Sequence, residues 1–289
     1  MSTLMFGYSI SEAPLSSLVD RAAGSIERGE PRLRLLAMNP AKIAMAERDP
    51  SLRDALGRAE VAFADGCGVS LAHRLIAGRR VARVPGVDLA TALAAEATLR
   101  GWSLYLLGAR PGIAEEAAAN LRGRFPGLRV AGCQHGYFDE RGERRIIDEI
   151  DRAAPEILLV ALGSPAQELW IDRHFDELRV RVALGLGGTF DVWASRVRRA
   201  PVVFRRFGLE WLYRIAREPR RTGRFLRTQP RFFALVLRES VTCRLSWLSA
   251  LPRALSRPGR LWGTWGAETA VGGGAPPEAE AELRGTGDV

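Results

Sequence analysis

Short apolar runs alternate with longer stretches of helical spacing along the first two thirds of the chain. The apolar runs cover residues 33–38, 61–64, 104–107, 157–162 and 182–186, and the helical stretches include residues 89–99, 113–121 and 143–150. Short runs of this kind are typical of strands buried on both faces, and helices between them are typical of βαβ units. The pattern predicts an α/β fold with a mostly parallel sheet, helices on both faces and ligands at the carboxyl ends of the strands.

The chain after about residue 195 follows another pattern, in which Arg, Trp, Phe and Leu predominate. Four prolines interrupt it: Pro201, Pro219, Pro230 and Pro252. They predict short helices that break at each proline. From residue 263 the chain is rich in Gly, Pro, Ala and Glu, a composition typical of disorder. We therefore predict a core over residues 1–195, a basic helical appendage over residues 196–262 and a disordered tail over residues 263–289.

The net charge of +9 is concentrated in the appendage. Residues 196–260 hold 17 Arg against three Glu, whereas residues 1–195 carry a net charge of −1. Aromatic side chains accompany this charge, among them Trp211, Phe225, Phe232, Phe233, Trp247 and Trp262. Such a surface suits anionic lipid head groups, and it also suits single-stranded nucleic acid. The composition leaves both partners open.

The length of 289 residues and the hydrophobic content of 47% indicate a folded chain with a sizeable core. Cys67, Cys133 and Cys243 are widely spaced and odd in number, which favours a reducing compartment over a disulfide framework. The N-terminus lacks the basic start of a signal peptide, and no apolar run reaches the ~18 residues of a membrane span. We therefore expect a protein that is not exported by a signal peptide.

The strongest candidate for chemistry is the turn after the apolar run 61–64. Asp65 follows this run directly, and Gly66 and Gly68 allow a tight turn into a helix. At the carboxyl end of a strand, Asp65 could take a proton from an attacking hydroxyl, an effect worth roughly 10²- to 10⁴-fold. Asp is also a preferred helix N-cap. The residues alone leave both roles open.

Three further polar residues lie where they could bind a substrate or serve the fold. Asn39 precedes Pro40, which suits an N-cap with proline at N1, and its amide could also bind a sugar hydroxyl. Asp191, after the run 182–186, is likewise either a cap or a ligand contact. Arg83 is either a solvated charge or a guanidinium aimed at phosphate oxygens.

Glycine-containing turns after two other runs favour anion binding. Gly163 and Ser164 precede Gln167 after the run 157–162, and Ser164 with Gln167 matches the Ser-x-x-Gln capping box. Gly108 ends another apolar run. Helix starts of this kind present backbone N–H groups and a positive dipole end, which suits a pyrophosphate. The chain has no Walker A loop or G-x-G-x-x-G fingerprint, which argues against a nicotinamide dehydrogenase.

The sequence contains no motif typical of a metal-dependent enzyme or of a serine hydrolase. The three His are scattered, and neither an HExxH motif nor a D-x-D pair is present. The G-x-S-x-G elbow of serine hydrolases is also missing. We therefore expect no cofactor and no metal, and we expect Arg side chains and helix ends to meet any phosphate charge.

The motifs form an ordered series over about residues 5–240. Its members are Asn39, Ala64-Asp65-Gly66-Cys67-Gly68, Arg83 with Pro85-Gly86-Val87-Asp88, Leu107-Gly108, Gly136-Tyr137-Phe138, Gly163-Ser164-Pro165-Ala166-Gln167-Glu168, Gly187-Gly188-Thr189-Phe190-Asp191, Arg199-Ala200-Pro201, Leu209-Glu210-Trp211-Leu212-Tyr213-Arg214 and Glu218-Pro219-Arg220-Arg221. This series resembles the WecG/TagA/CpsF family, glycosyltransferase family 26. The resemblance implies a Rossmann-like core and an inverting, metal-independent enzyme, which moves a sugar such as N-acetylmannosamine from a UDP-sugar to a polyprenyl-diphosphate-linked acceptor in cell-surface polysaccharide synthesis.

The same resemblance implies roles for particular residues. Asp65 is implied to be the general base. The implied substrate-binding residues are Asn39, Arg83, Gln167 and Asp191, and the anion-binding turns described above add Gly108 and Gly163. Residues implied to meet UDP phosphates or the lipid diphosphate are Arg214, Arg221 and Arg224. The appendage is implied to contact an anionic membrane, so we expect a cytoplasmic protein bound peripherally to the inner face of the cell membrane, without a nucleic-acid partner; a homo-oligomer stays open.

Overall fold

A computed structural model describes residues 2–217 and 222–255. Its strands are β1 (Ser2–Met5), β2 (Tyr8–Ser11), β3 (Leu33–Met38), β4 (Val61–Ala64), β5 (Ser103–Gly108), β6 (Arg129–Gln134), β7 (Ile157–Ala161) and β8 (Val182–Gly185). They form one sheet in the order β1-β2-β4-β3-β8-β7-β5-β6. The β1–β2 pair is antiparallel and the other pairs are parallel. All five predicted strands are therefore present, and the predicted fold class is confirmed.

Helices connect these strands and cover both faces of the sheet. Their bounds are α1 (Leu15–Glu27), α2 (Pro40–Ala46), α3 (Pro50–Gly57), α4 (Cys67–Ala77), α5 (Gly86–Arg100), α6 (Ile113–Arg124), α7 (Glu140–Ala153), α8 (Ala166–His174), α9 (Thr189–Trp193), α10 (Val202–Arg206), α11 (Glu210–Arg217) and α12 (Thr222–Leu255). Helices α1, α5, α6 and α9 supply the core on one face. Helices α2, α3, α4, α7, α8 and α12 supply the core on the other.

The strands read as continuous apolar runs because both of their faces are buried. Successive side chains of a strand point to opposite faces of a sheet. Leu35 accordingly belongs to the first core and Leu36 to the second. In β5, Leu106 belongs to the first core and Leu107 to the second. Strand β6 lies at the sheet edge and is only partly buried, which is why no apolar run predicted it.

Helix α12 differs from the prediction, because it runs through both Pro230 and Pro252 without a break. A proline inside a helix costs about 3 kcal/mol. Phe232, Leu235 and Val236 of the same helix are buried in the second core. Burial of an apolar side chain contributes about 1.5–3 kcal/mol, so these three together outweigh the cost at Pro230.

Helix α12 is also tied to the hairpin formed by β1 and β2. The backbone N–H of Phe6, in the hairpin turn, donates to Glu239 Oε1 at 2.8 Å. The Phe6 and Phe232 rings lie 5.7 Å apart between centroids. The chain divides into two units, Met1–Ser246 and Trp247–Val289, and the site described below lies in the first. The predicted division at residues 195 and 196 stays a prediction, and the predicted tail, residues 263–289, lies outside the described residues.

None of the helices in the described residues combines the length and the apolar character needed to cross a membrane.

Gly108 should be required by the backbone at the end of β5. Its φ is +137°, and a Cβ built there would lie 2.5 Å from the carbonyl carbon and oxygen of Ala161. We predict that Gly108→Ala lowers the free energy of unfolding by about 2–4 kcal/mol, since it adds both backbone strain and overpacking. Urea denaturation would measure this loss.

Gly123→Ala is the matched control for Gly108→Ala. Gly123 lies in α6, is exposed, and has open space where a Cβ would stand. This variant should be more stable than the wild type by about 0.5 kcal/mol, because Ala has the higher helix propensity. A Gly108→Ala protein as stable as the wild type would show that the close approach to β7 is not a constraint.

Candidate active site

The sheet order brings the predicted site residues to a single edge. Strands β4, β3, β8, β7 and β5 are parallel neighbours, so their carboxyl ends lie side by side. In that spatial order, the segments that follow the first four ends carry Asp65, Asn39, Asp191, and Gly163 with Gln167. Gly108 is the last residue of β5. From β3 the chain continues to β4, which pairs with one side of β3. Strand β8, which comes last in the sequence, pairs with the other side of β3. Open α/β sheets bind ligands at such a switch point, which here lies between β3 and β8.

Asp65 is held at the N-terminus of a helix that is distant in sequence. Its backbone N–H donates to the Met38 carbonyl at 2.9 Å, which extends the pairing of β4 with β3. Its Oδ1 accepts a hydrogen bond of 2.9 Å from the N–H of Gly86, the first residue of α5. The N-cap of α4 is Gly66, without a side-chain hydrogen bond, so Asp65 does not cap the helix that follows it. The carboxylate of Asp65 is instead fixed by α5.

The Asp65 turn packs closely against the start of α2. A Cβ at Gly68 would lie 2.6 Å from Cγ of Pro40 and 3.7 Å from the Phe232 ring. Asn39 is the N-cap of α2, because its Oδ1 accepts from the Lys42 N–H at 3.0 Å. The capping role of Asn39 is therefore confirmed, and its contact with a substrate stays a prediction. The close approach at Gly68 places Asp65 and Asn39 in adjoining turns.

Gln167 does not form the predicted capping box. The N-cap of α8 is Pro165, which makes no side-chain hydrogen bond. Instead, Gln167 Nε2 donates to Glu168 Oε1 at 2.7 Å, and Gln167 Oε1 accepts from the Gly187 N–H at 2.8 Å. The box is absent because the Gln167 side chain points into the protein, where only 2% of the residue is exposed.

A buried ion pair lies beside Gln167. Lys42 Nζ is 2.7 Å from Glu168 Oε1, and the two side chains are 4% and 0% exposed. Lys42 Nζ also donates to the Ala37 carbonyl at 2.6 Å, and Ser164 Oγ donates to Glu168 Oε2 at 2.5 Å. Lys42 was not among the residues expected at the site, and Glu168 was expected only as a member of the motif series, without a role. A sequence signal for Lys42 does exist, because it is the one charged residue in the otherwise apolar helix Pro40–Ala46.

Arg83 and Arg199 join the edge of the sheet to α10 and α11. Arg83 Nη2 donates to the Arg205 carbonyl at 3.1 Å, and Arg83 Nη1 lies 3.6 Å from Glu210 Oε2. Arg199 pairs with Asp88 through contacts of 2.6 and 2.7 Å. The hydrogen bond from Arg199 to Asp88 raises the pKa of Arg199, and the charges of Glu210 and Asp65 contribute in the same direction.

Arg199 is thus a cation within electrostatic reach of Asp65. It also lies 3.8 Å from Glu210 through Nε. Arg199 and Glu210 belong to the motif series, which implies no role for either at the site. Their signal was weak, since each is one charge among many in a segment rich in Arg.

The other predicted residues have the following positions. Asp191 is not an N-cap, since Gly188 takes that position in α9, and its Oδ1 lies 4.0 Å from Arg110. Gly163 has a φ of +79°, which favours glycine in the turn after β7. Arg221 and the side chains of Arg214 and Arg224 lie outside the described residues.

Among the described residues, no three His, Cys, Asp or Glu side chains are grouped as a metal site would need.

Two cavities lie away from Asp65. One, of about 330 Å³, lies toward the amino ends of the strands and is lined by residues that include Tyr8, Arg53 and Arg58. The other, of about 250 Å³, lies between α5, α6 and the segment from α9 to Arg199. Neither includes Asp65 among its lining residues.

Comparison with known proteins agrees with the motif series. The Glycosyl transferase WecG/TagA/CpsF family matches residues 3–246. A relative from Bacillus spizizenii, named N-acetylglucosaminyldiphosphoundecaprenol N-acetyl-beta-D-mannosaminyltransferase, is 34% identical over 204 residues, which cover 71% of this chain and 78% of the relative. The resemblance inferred from the motifs is therefore confirmed. This chain belongs to the WecG/TagA/CpsF family of glycosyltransferases.

Proposed function

We propose that this glycosyltransferase moves an N-acetylmannosamine-type sugar from a UDP-sugar to a sugar linked to polyprenyl diphosphate, in the synthesis of a cell-surface polysaccharide. The name of the Bacillus spizizenii relative supports the proposal, because it describes a mannosaminyl group transferred to an acetylglucosaminyl-diphospho-undecaprenol. The observation that carries the mechanism is the position of Asp65 at the carboxyl end of β4, held by the Gly86 N–H. From that position we derive the role of each group.

Asp65 acts as the general base in this proposal. It takes the proton from the acceptor hydroxyl as the hydroxyl oxygen bonds to the anomeric carbon of the donor. The bond from that carbon to the diphosphate oxygen breaks at the same time, and UDP leaves from the opposite face with the electron pair, which inverts the anomeric centre. The hydrogen bond from the Gly86 N–H fixes the orientation of the carboxylate that accepts the proton.

The charge of the leaving diphosphate is met by arginines and backbone N–H groups, without a metal ion, in this proposal. Arg199 lies within electrostatic reach of Asp65, and Arg83 lies three residues before Gly86, the first residue of α5. Arg83 now faces Glu210, so a diphosphate that binds Arg83 would compete with that carboxylate. A guanidinium binds phosphate oxygens through two parallel N–H donors, which suits either arginine to this task.

The exposed face of α12 supports association with a membrane surface. Leu226, Phe233, Leu237 and Val241 are 64%, 56%, 67% and 54% exposed. Their spacing of seven, four and four positions places them on one face of the helix. That face lies away from the buried Phe232. Exposed arginines on the same helix are Arg227, Arg231 and Arg238. Apolar side chains beside arginines suit an anionic bilayer, and we propose that the enzyme binds the inner face of the cell membrane there.

Asp65→Asn should lower turnover by roughly 10²- to 10⁴-fold, because the amide cannot accept the proton. The variant keeps the shape of the side chain and an oxygen for the Gly86 N–H, so UDP should bind as it does to the wild type. Transfer from a UDP-sugar to a short-chain lipid-diphosphate acceptor would be measured with and without chelator, and UDP binding by calorimetry.

Asp49→Asn is the matched control for the Asp65 variant. Asp49 caps α3 through Leu52, and Asn caps equally well, so this control should keep both turnover and UDP binding. Unchanged turnover in Asp65→Asn would remove Asp65 as the base. Turnover that chelator abolishes and added metal restores would contradict the metal-free mechanism.

Membrane association should depend on the exposed face of α12. We predict that Phe233→Ser with Leu237→Ser weakens binding to vesicles containing phosphatidylglycerol by about tenfold or more, because two apolar side chains no longer enter the lipid. Leu4→Ser with Leu99→Ser is the matched control, since those leucines are 72% and 82% exposed outside α12. Co-sedimentation with vesicles would measure both. Equal loss in the two pairs would contradict a docking face on α12.

A further inference from the structure

We propose that the buried pair Lys42–Glu168 positions Gln167 and the Gly187 turn for the donor nucleotide. Neither Lys42 nor Glu168 is assigned a role by the motif series or by the comparisons. The proposal rests on the proposed function, because it needs a UDP-sugar at the carboxyl edge of the sheet. The pair acts through other groups, so Lys42 and Glu168 are positioning residues.

The pair belongs to a continuous chain of polar contacts across three neighbouring strands. It begins at the Ala37 carbonyl of β3, which accepts from Lys42 Nζ. It continues through Glu168 to Gln167, both in α8 after β7. It ends at the N–H of Gly187, in the turn that follows β8. The chain of contacts therefore spans the switch point between β3 and β8, where the ligand is expected.

The charge of Glu168 decides which way the Gln167 amide points. An ionised carboxylate only accepts hydrogen bonds, so Gln167 must turn its NH₂ group toward Glu168. Its oxygen then faces Gly187, whose N–H needs an acceptor. If the amide were reversed, its oxygen would face the Glu168 carboxylate, so that two acceptors would meet. Its NH₂ group would face the Gly187 N–H, so that two donors would meet. Lys42 balances the charge that Glu168 must keep in the dry interior.

A buried ion pair is poor evidence for stability in itself. Well-packed apolar residues of similar volume are often as stable or more stable, because they avoid the cost of desolvating two charges. Lys42 is followed in α2 by Ile43 and Ala44, and both are buried in the apolar core. The benefit that we assign to the pair is the fixed geometry of the turn after β8. A buried polar network with all its members satisfied specifies one arrangement of the groups around it.

This arrangement reaches residues on both sides of the switch point. Lys42 lies on the helix that Asn39 caps, and the Lys42 N–H is the donor to the Asn39 side chain. The Gly187 turn leads into α9, which carries Asp191. A shift of the pair would therefore move the predicted binding residues of β3, β7 and β8 together. The turn after β7 favours anion binding, and the turn after β8 borders the switch point where a nucleotide is expected. The effect should therefore fall on the donor.

The test is the paired variant Lys42→Met with Glu168→Gln, which removes both charges and leaves no lone charge buried. We expect a native circular dichroism spectrum and a urea midpoint close to that of the wild type. The KM for the UDP-sugar and the Kd for UDP should each rise about tenfold, the equivalent of one lost hydrogen bond. The KM for the lipid-linked acceptor should not change.

Arg179→Met with Asp151→Asn is the matched control. This pair is joined at 3.0 Å at the amino edge of the sheet, where the side chains of Arg179 and Asp151 are 68% and 35% exposed, so its removal should change neither KM. A merely structural role for Lys42 and Glu168 would reduce the amount of active enzyme, and therefore kcat, without a change in the donor KM. An unchanged donor KM in the paired variant would overturn the proposal.

Ser164→Ala keeps the proposal testable if the paired variant does not fold. It removes only the outer hydrogen bond to Glu168 and keeps both charges. The donor KM should rise severalfold while the acceptor KM stays constant, and an unchanged donor KM would again overturn the proposal. Failure of the proposed function would look different, because the wild type itself would then neither bind UDP nor transfer a sugar.

Discussion

The structure depends on one constraint: neighbouring parallel strands end at the same edge of their sheet. Beyond that edge the ladder of backbone hydrogen bonds stops, and the first N–H groups of the following helices have no partner within their own helix. The protein satisfies some of them with side chains, as Asn39 does for α2 and Asp65 does for α5. Such an edge is rich in oriented donors and polar side chains. A charged substrate can bind there without further rearrangement of the backbone.

Two sets of ionic contacts hold this edge in place. The buried pair Lys42–Glu168 connects β3 to the turns that follow β7 and β8. In the C-terminal part of the chain, Glu210 lies near both Arg83 and Arg199 and so connects α11 to the segment before α5 and the segment after α9. The first set is dry and should behave as a fixed part of the fold. The second set is partly exposed, and in the proposed mechanism the diphosphate would replace the Glu210 carboxylate at these arginines.

Much of the fold can be predicted from the sequence, because strands buried on both faces appear as continuous apolar runs. Strand β4 (Val61–Ala64) coincides with its apolar run, and the position of Asp65 follows from where that run ends. Contacts between distant segments produce no such pattern in the sequence. The capping box at Ser164 is locally plausible, yet the Gln167 amide has better partners in Glu168 and Gly187. The proline rule fails at Pro230 for the same reason, because tertiary burial of the helix outweighs the local cost.

The most direct test of the account is a crystal structure of the protein with bound UDP. We expect the diphosphate at the carboxyl ends of β3, β8 and β7, in contact with backbone N–H groups of the turns there. We also expect Arg83 to have exchanged Glu210 for a phosphate oxygen and Asp65 to face the position of the anomeric carbon. UDP bound instead in the cavity near Tyr8 and Arg53, toward the opposite edge of the sheet, would contradict it.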